Sequence, residues 1–125
     1  MKPELRQSYS RKAIHKMVGG QLQHYLPFKD GQILCGCFNT SPKLNPGAPE
    51  EVLFGRAPIV EEMAEMVYRQ HTAIPIFIFR DSAQWEYIDD YLCIGLSRDA
   101  DLLKSKMKKH PQRGIIAGVL RFRKV

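Results

Sequence analysis

Trp85, Tyr87, Asp89 and Tyr91 stand at alternate positions in the run WEYIDDYLCIGL, so a regular strand puts these rings and this carboxylate on one face. Rings of this kind stack on the flat faces of bases, and a carboxylate beside them accepts hydrogen bonds from a base edge. They would serve equally well as a second core layer, and the pattern leaves both readings open. Ile88, Leu92, Ile94 and Leu96 form the opposite, aliphatic face. The cations that such a base pocket would need for phosphate contact are Arg56, Arg80, Lys106, Lys109, Arg121 and Arg123.

Other reactive residues point to less. Cys35-Gly-Cys37 puts both sulfurs on one strand face, but a tetrahedral zinc site wants four ligands, and only Cys93 and scattered histidines remain to complete it. Buried, uncharged cysteines are the default, with no metal and no cofactor. His15, His24, His71 and His110 have neither metalloprotease nor triad spacing, and a Cys37–His71 pair has nothing in the sequence to support it. Asp89 and Asp90 are neighbours on a strand and point to opposite faces, so they do not form a dyad. Asp81, Glu86 and Lys104 lack the spacing of a metal-dependent nuclease. No catalytic residue is expected.

The elements that must position these residues follow from composition and periodicity. A chain of 125 residues with 44% apolar content fits a single domain over residues 1–125. Its net charge of +6 is a C-terminal property. Residues 1–97 hold 10 Lys or Arg against 11 Asp or Glu, and residues 98–125 hold 9 against 2. That surplus suits a polyanion and equally suits a solvated, Lys-rich helix. An odd cysteine count of 3 and no apolar leader suggest free thiols in a reducing, cytoplasmic setting. No apolar run is long enough to cross a membrane.

Leu5, Tyr9, Ala13, Ile14 and Met17 predict a helix over Glu4 to Met17, stopped at Gly19. Asp30-Gly31 turns into a strand over Gln32 to Phe38, and Glu51 to Phe54 forms another after a Pro-rich loop. Pro58 opens a helix whose apolar stripe is Ile59, Met63, Met66 and Val67. Ile74 to Arg80 and Trp85 to Leu96 make a hairpin around which the rest is arranged. A polar helix over Asp99 to Lys109 and a strand over Gly114 to Lys124 complete the chain, with Arg121 and Arg123 opposite Leu120 and Phe122. This order predicts an α+β fold, a small curved mixed or antiparallel sheet with two or three packed helices. A doubly wound parallel sheet is excluded by the lack of strand and helix alternation and of a glycine-rich phosphate loop.

The segments RKAIHKMVGGQ, DGQILCGCF, NPGAPEEVLFG, RQHTAIPIFIFR and WEYIDDYLCIGL, in that order over residues 10–97, together resemble the small DNA-reading domains attached to restriction nucleases. Those are similar to the PUA-like group that includes the SRA and EVE modified-base readers. The resemblance implies a pseudo-barrel whose concave face takes nucleic acid, DNA before RNA, and sometimes a flipped modified base. It also implies a nuclease partner or fused nuclease. The chain departs from the pattern at Asp89, where the strand motif has Gly, and this puts an acid at the rim of the implied pocket. The rivals to a non-catalytic DNA reader are an RNA-binding or RNA-processing domain, a protein-interaction module and a small nuclease.

Overall fold

The computed structural model describes residues 2–125. In chain order its elements are β1 (Ser8–Tyr9), α1 (Arg11–Val18), β2 (Phe28–Lys29), β3 (Gln32–Ile33), β4 (Gly36–Phe38), β5 (Glu51–Phe54), α2 (Pro58–Gln70), β6 (Ile74–Phe79), β7 (Trp85–Ser97), α3 (Ala100–Lys109) and β8 (Gly118–Lys124). The class is α+β, as the periodicity predicts. No helix among the described residues is long and apolar enough to cross a membrane.

Three boundaries differ from the sequence-based expectation, each because a tertiary partner outcompetes local propensity. The first helix starts at Arg11, not Glu4. Ser10 caps it by accepting the Ala13 N–H at 3.1 Å, and the preceding Ser8 and Tyr9 pair with β7 opposite Glu86 and Trp85. The strand expected over 32–38 is divided: β3 closes a hairpin with β2, and β4 joins the main sheet. The last strand begins at Gly118, where a side chain would collide with the ring of Phe54.

The main sheet runs β4-β6-β7-β8-β5, with β1 also on β7, and it does not close. Only β4 and β6 are parallel, which makes the sheet mixed. The β6–β7 hairpin lies at its centre. One face packs on α2, where Met63, Ala64 and Val67 meet Phe38, Val52, Phe54, Ile74, Ile76 and Leu120. The other face is covered in two places. Ile14 of α1 packs on Cys35, Cys37, Phe77 and Tyr87, while Leu102, Leu103 and Met107 of α3 pack on Leu53, Ile116 and Val119.

Two β-bulges decide which side chains of β7 share a face. Phe77 lies opposite Tyr87 and Ile76 opposite Asp89, so Ile88 is an extra residue without a partner. Cys93 lies opposite Phe122 and Gly95 opposite Arg121, so Ile94 is a second, and it is 48% exposed. An inserted residue reverses the in-and-out alternation beyond it. Trp85 and Tyr87 therefore face α1, whereas Asp89, Tyr91 and Cys93 face the α2 side. This corrects the expectation that all of them share one face.

Candidate nucleic-acid interface

A cavity of about 520 Å³ opens at the β4 edge of the sheet, where α1, the loop after it, the 39–45 loop and the tip of the β6–β7 hairpin meet. Arg11, Tyr25, Cys37, Asn39, Phe79 and Trp85 line it. The edge of Phe79 meets the half-buried Trp85 ring at a centroid distance of 5.2 Å. The Arg11 guanidinium carbon sits 5.2 Å from the centroid of the same ring. Its Nη2 donates to the carbonyls of His24 at 2.8 Å and Gln21 at 3.2 Å, which fixes the plane over the indole. Its Nε is buried without a partner, and among the described residues no carboxylate pairs with it.

The remaining walls are held by internal hydrogen bonds. The Tyr25 hydroxyl donates to the Val60 carbonyl at 2.7 Å, and burial pushes its phenol well above the ordinary range. Asn45, buried at the cavity edge, accepts the Leu53 N–H at 2.6 Å. Asn39 accepts the Ser41 N–H at 2.9 Å. Each of these side-chain carbonyls is thus committed to the protein, so these amides have N–H groups to offer a ligand.

Of the expected base-pocket residues, only Trp85 reaches this cavity. Tyr87 is 8% exposed and donates its hydroxyl to Asp90 Oδ1 at 2.6 Å; burial and that hydrogen bond raise its phenol. Tyr91 is 7% exposed within the α2-side core, and burial raises it too. Asp89 accepts the Asp90 N–H at 2.8 Å and pairs with Lys124 at 3.2 Å; both hold its carboxyl below the usual range. Tyr87 and Tyr91 pack as core, and Asp89 forms a surface pair.

The expected phosphate contacts divide similarly. Arg80 is tied to Glu86 at 2.8 Å, and Lys106 to Glu51 at 2.6 Å in a largely buried pair. Arg56, Lys109, Arg121 and Arg123 are exposed and have no ion-pair partner among the described residues. Sequence reasoning missed Arg11, which only the fold brings to Trp85, and Arg113. Arg113 donates from Nη2 to the Leu53 carbonyl at 3.1 Å while its Nε stays unpartnered, and burial lowers its basicity. Neither position carries a local signal. His71 ends α2 beside Tyr68, on the other side of the sheet from Cys37, and no group of three or more potential metal ligands gathers among the described residues.

This arrangement is that of an α+β fold with an electropositive, aromatic cavity at one sheet edge. No family model and no curated protein matches the sequence. Among solved structures it is similar to the type IV phosphorothioation-dependent restriction endonuclease ScoMcrA, with a TM-score of 0.54 and 13% identity. That match covers 100% of this chain and 28% of the other. It is also similar to the sulfur-binding and SRA domains of ScoMcrA complexed with phosphorothioated DNA, with a TM-score of 0.56 and 14% identity over 98% of this chain and 39% of that one. The chain shares an α+β fold with part of these proteins, in line with the SRA-like domain that the sequence resemblance implies, and it spans well under half of either matched chain.

Proposed function

We propose that residues 1–125 form one DNA-binding domain that reads a local feature of duplex DNA in the Trp85 cavity. Arg56, Lys109, Arg121 and Arg123 contact phosphates in this reading. The observation that carries it is the Arg11–Trp85 stack, a cation without a carboxylate partner fixed on an aromatic wall and open to a cavity of about 520 Å³. A half-buried guanidinium without an anion is costly, and a phosphate-bearing ligand removes that cost. The likeness to ScoMcrA bound to phosphorothioated DNA adds support for DNA over RNA and for service alongside a nuclease. The feature read is an extruded modified base stacked on Trp85, with donors from Asn39 and Asn45 at its edge.

The test is binding to matched duplexes that are unmodified, base-methylated or phosphorothioated, across a salt series, with single-stranded RNA as competitor. The expected result is affinity that falls steeply with salt, and a preference for a modified duplex of about tenfold or more that Trp85→Ala abolishes in a folded protein. A salt-independent affinity removes the phosphate contacts from this reading. RNA outcompeting every duplex replaces DNA with RNA.

A further inference from the structure

Cys37 forms part of the cavity wall, and Cys35 lies behind it in the same cluster under α1, with only Gly36 between them in the chain. Both thiols are free, and Cys35 is completely buried while Cys37 borders the open space. We propose that Cys35 and Cys37 are a thiol–disulfide switch, set by peroxide-class oxidants, whose closure deforms the Trp85 cavity. It regulates the site described above and rests on that reading for its biological use.

The steps balance. The Cys37 thiolate attacks one peroxide oxygen; an S–O bond forms, the O–O bond breaks, and the leaving hydroxide takes a proton to become water. The Cys35 thiol then attacks the Cys37 sulfenic acid. The S–S bond forms, the S–O bond breaks, and a second water leaves. Two thiols lose two electrons in total, and the peroxide gains them.

The surroundings assign the roles. The neighbouring Cys35 and the nearby Arg11 guanidinium hold Cys37 below an ordinary thiol although burial opposes this. Cys35, beside Cys37 and fully buried, is pushed up. Cys37, which borders the cavity, is the attacking sulfur, and Cys35, buried behind it, is the resolving one. Cys93 provides an internal control, because burial raises its thiol to about 11 and it has no neighbouring cysteine in its cluster.

Cys37 lies in β4 and Cys35 directly precedes that strand, so closing the bond strains the chain. Alternate residues of a strand have Cα atoms about 6.6 Å apart. That is near the upper end of the roughly 4.4–6.8 Å that a disulfide spans, so closing it shortens the chain locally. Gly36 already lies against Ile76 and Phe38 and leaves no slack on the core side. The displacement passes instead to the cavity, since the Cys37 N–H donates to the Tyr25 carbonyl at 2.8 Å and Tyr25 lines the same space. Strained disulfides are readily reduced, as a reversible switch requires.

The experiment treats the full chain, without DNA, with hydrogen peroxide and then dithiothreitol. It follows intact mass, peptide maps and the fluorescence of Trp85, the only tryptophan. We expect a loss of about 2 Da mapped to Cys35–Cys37, a change in Trp85 emission, and reversal of both by dithiothreitol. Cys35→Ser should stop at a Cys37 sulfenic acid, about 16 Da heavier and trapped by dimedone. Oxidation that falls first or equally on Cys93, no reaction before unfolding, or a disulfide that leaves Trp85 emission unchanged each overturns the switch. None of these outcomes involves DNA, so failure here and failure of the DNA-binding reading are separately visible.

Discussion

At its N-terminal end β7 places Trp85 between Arg11 and Phe79 at the mouth of a cavity, whereas further along the same strand Tyr91 is buried in the cluster that holds Phe38 and Phe122. Both ends are aromatic and both lie near charge. At one end the charge is a guanidinium without a carboxylate partner; at the other it is Asp89, already paired with Lys124. The unpaired Ile88 turns the strand over and sends Tyr91 to the α2 side, while on the α1 side the cavity leaves Trp85 half-buried beside a fully packed Tyr87. Aromatic content alone therefore says little about whether a sheet face is a surface or a core. The register of the partner strand decides which face a ring takes, and what packs on that face decides whether it is covered.

The largest effect that would break this contrast lies at Tyr91. Tyr91→Ala removes a buried ring and should cost about 3–5 kcal/mol in chemical denaturation. Trp85→Ala, which empties a half-exposed position, should cost clearly less and leave the cooperative transition intact. Equal costs would make the Trp85 wall another part of the core.

A smaller effect separates the cations. Replacing Arg121 or Arg123 by Gln should lower the salt slope of DNA binding by about one unit each, with little change in stability. Lys106→Met should leave the slope alone and lower stability, because it strands the Glu51 carboxylate, about 16% exposed, beside α3. A slope change at Lys106 would mean that this ion pair opens to the ligand.

The smallest effect concerns Asp89. Its folded carboxyl titrates below the ordinary value because of the Asp90 N–H and Lys124, so its contribution to stability is present above the unfolded pKa and is lost as pH falls through the folded one. Asp89→Asn should flatten thermal stability slightly in the acid range, read by melting from neutral pH downward, and should leave DNA affinity unchanged. A loss of affinity would return Asp89 to the base-contacting role that its alternation with the rings in the sequence suggests.

The elements with local signals were legible in advance. Pro58 opens α2, and of its expected stripe Met63 and Val67 are buried and Met66 partly so, while Ile59 is exposed; Asp99 caps α3 by accepting the Leu102 N–H at 3.0 Å. Arg121 and Arg123 alternate with buried Leu120 and Phe122 as the strand period requires. The start of α1 was not legible, since helix-compatible residues before Ser10 are claimed by pairing with β7. The same limit hid Arg11, whose partner Trp85 lies far along the chain, and the burial of Tyr87 and Tyr91.

The sequence by itself determined the α+β class, the central hairpin, α2, α3 and the exposed cations of β8, because caps, turns and hydrophobic period act within a few residues. Tertiary structure decided which rings meet the cavity and which cations stay free. Those outcomes depend on one unpaired residue in a ladder and on ion pairs between distant elements, and neither leaves a mark on local sequence.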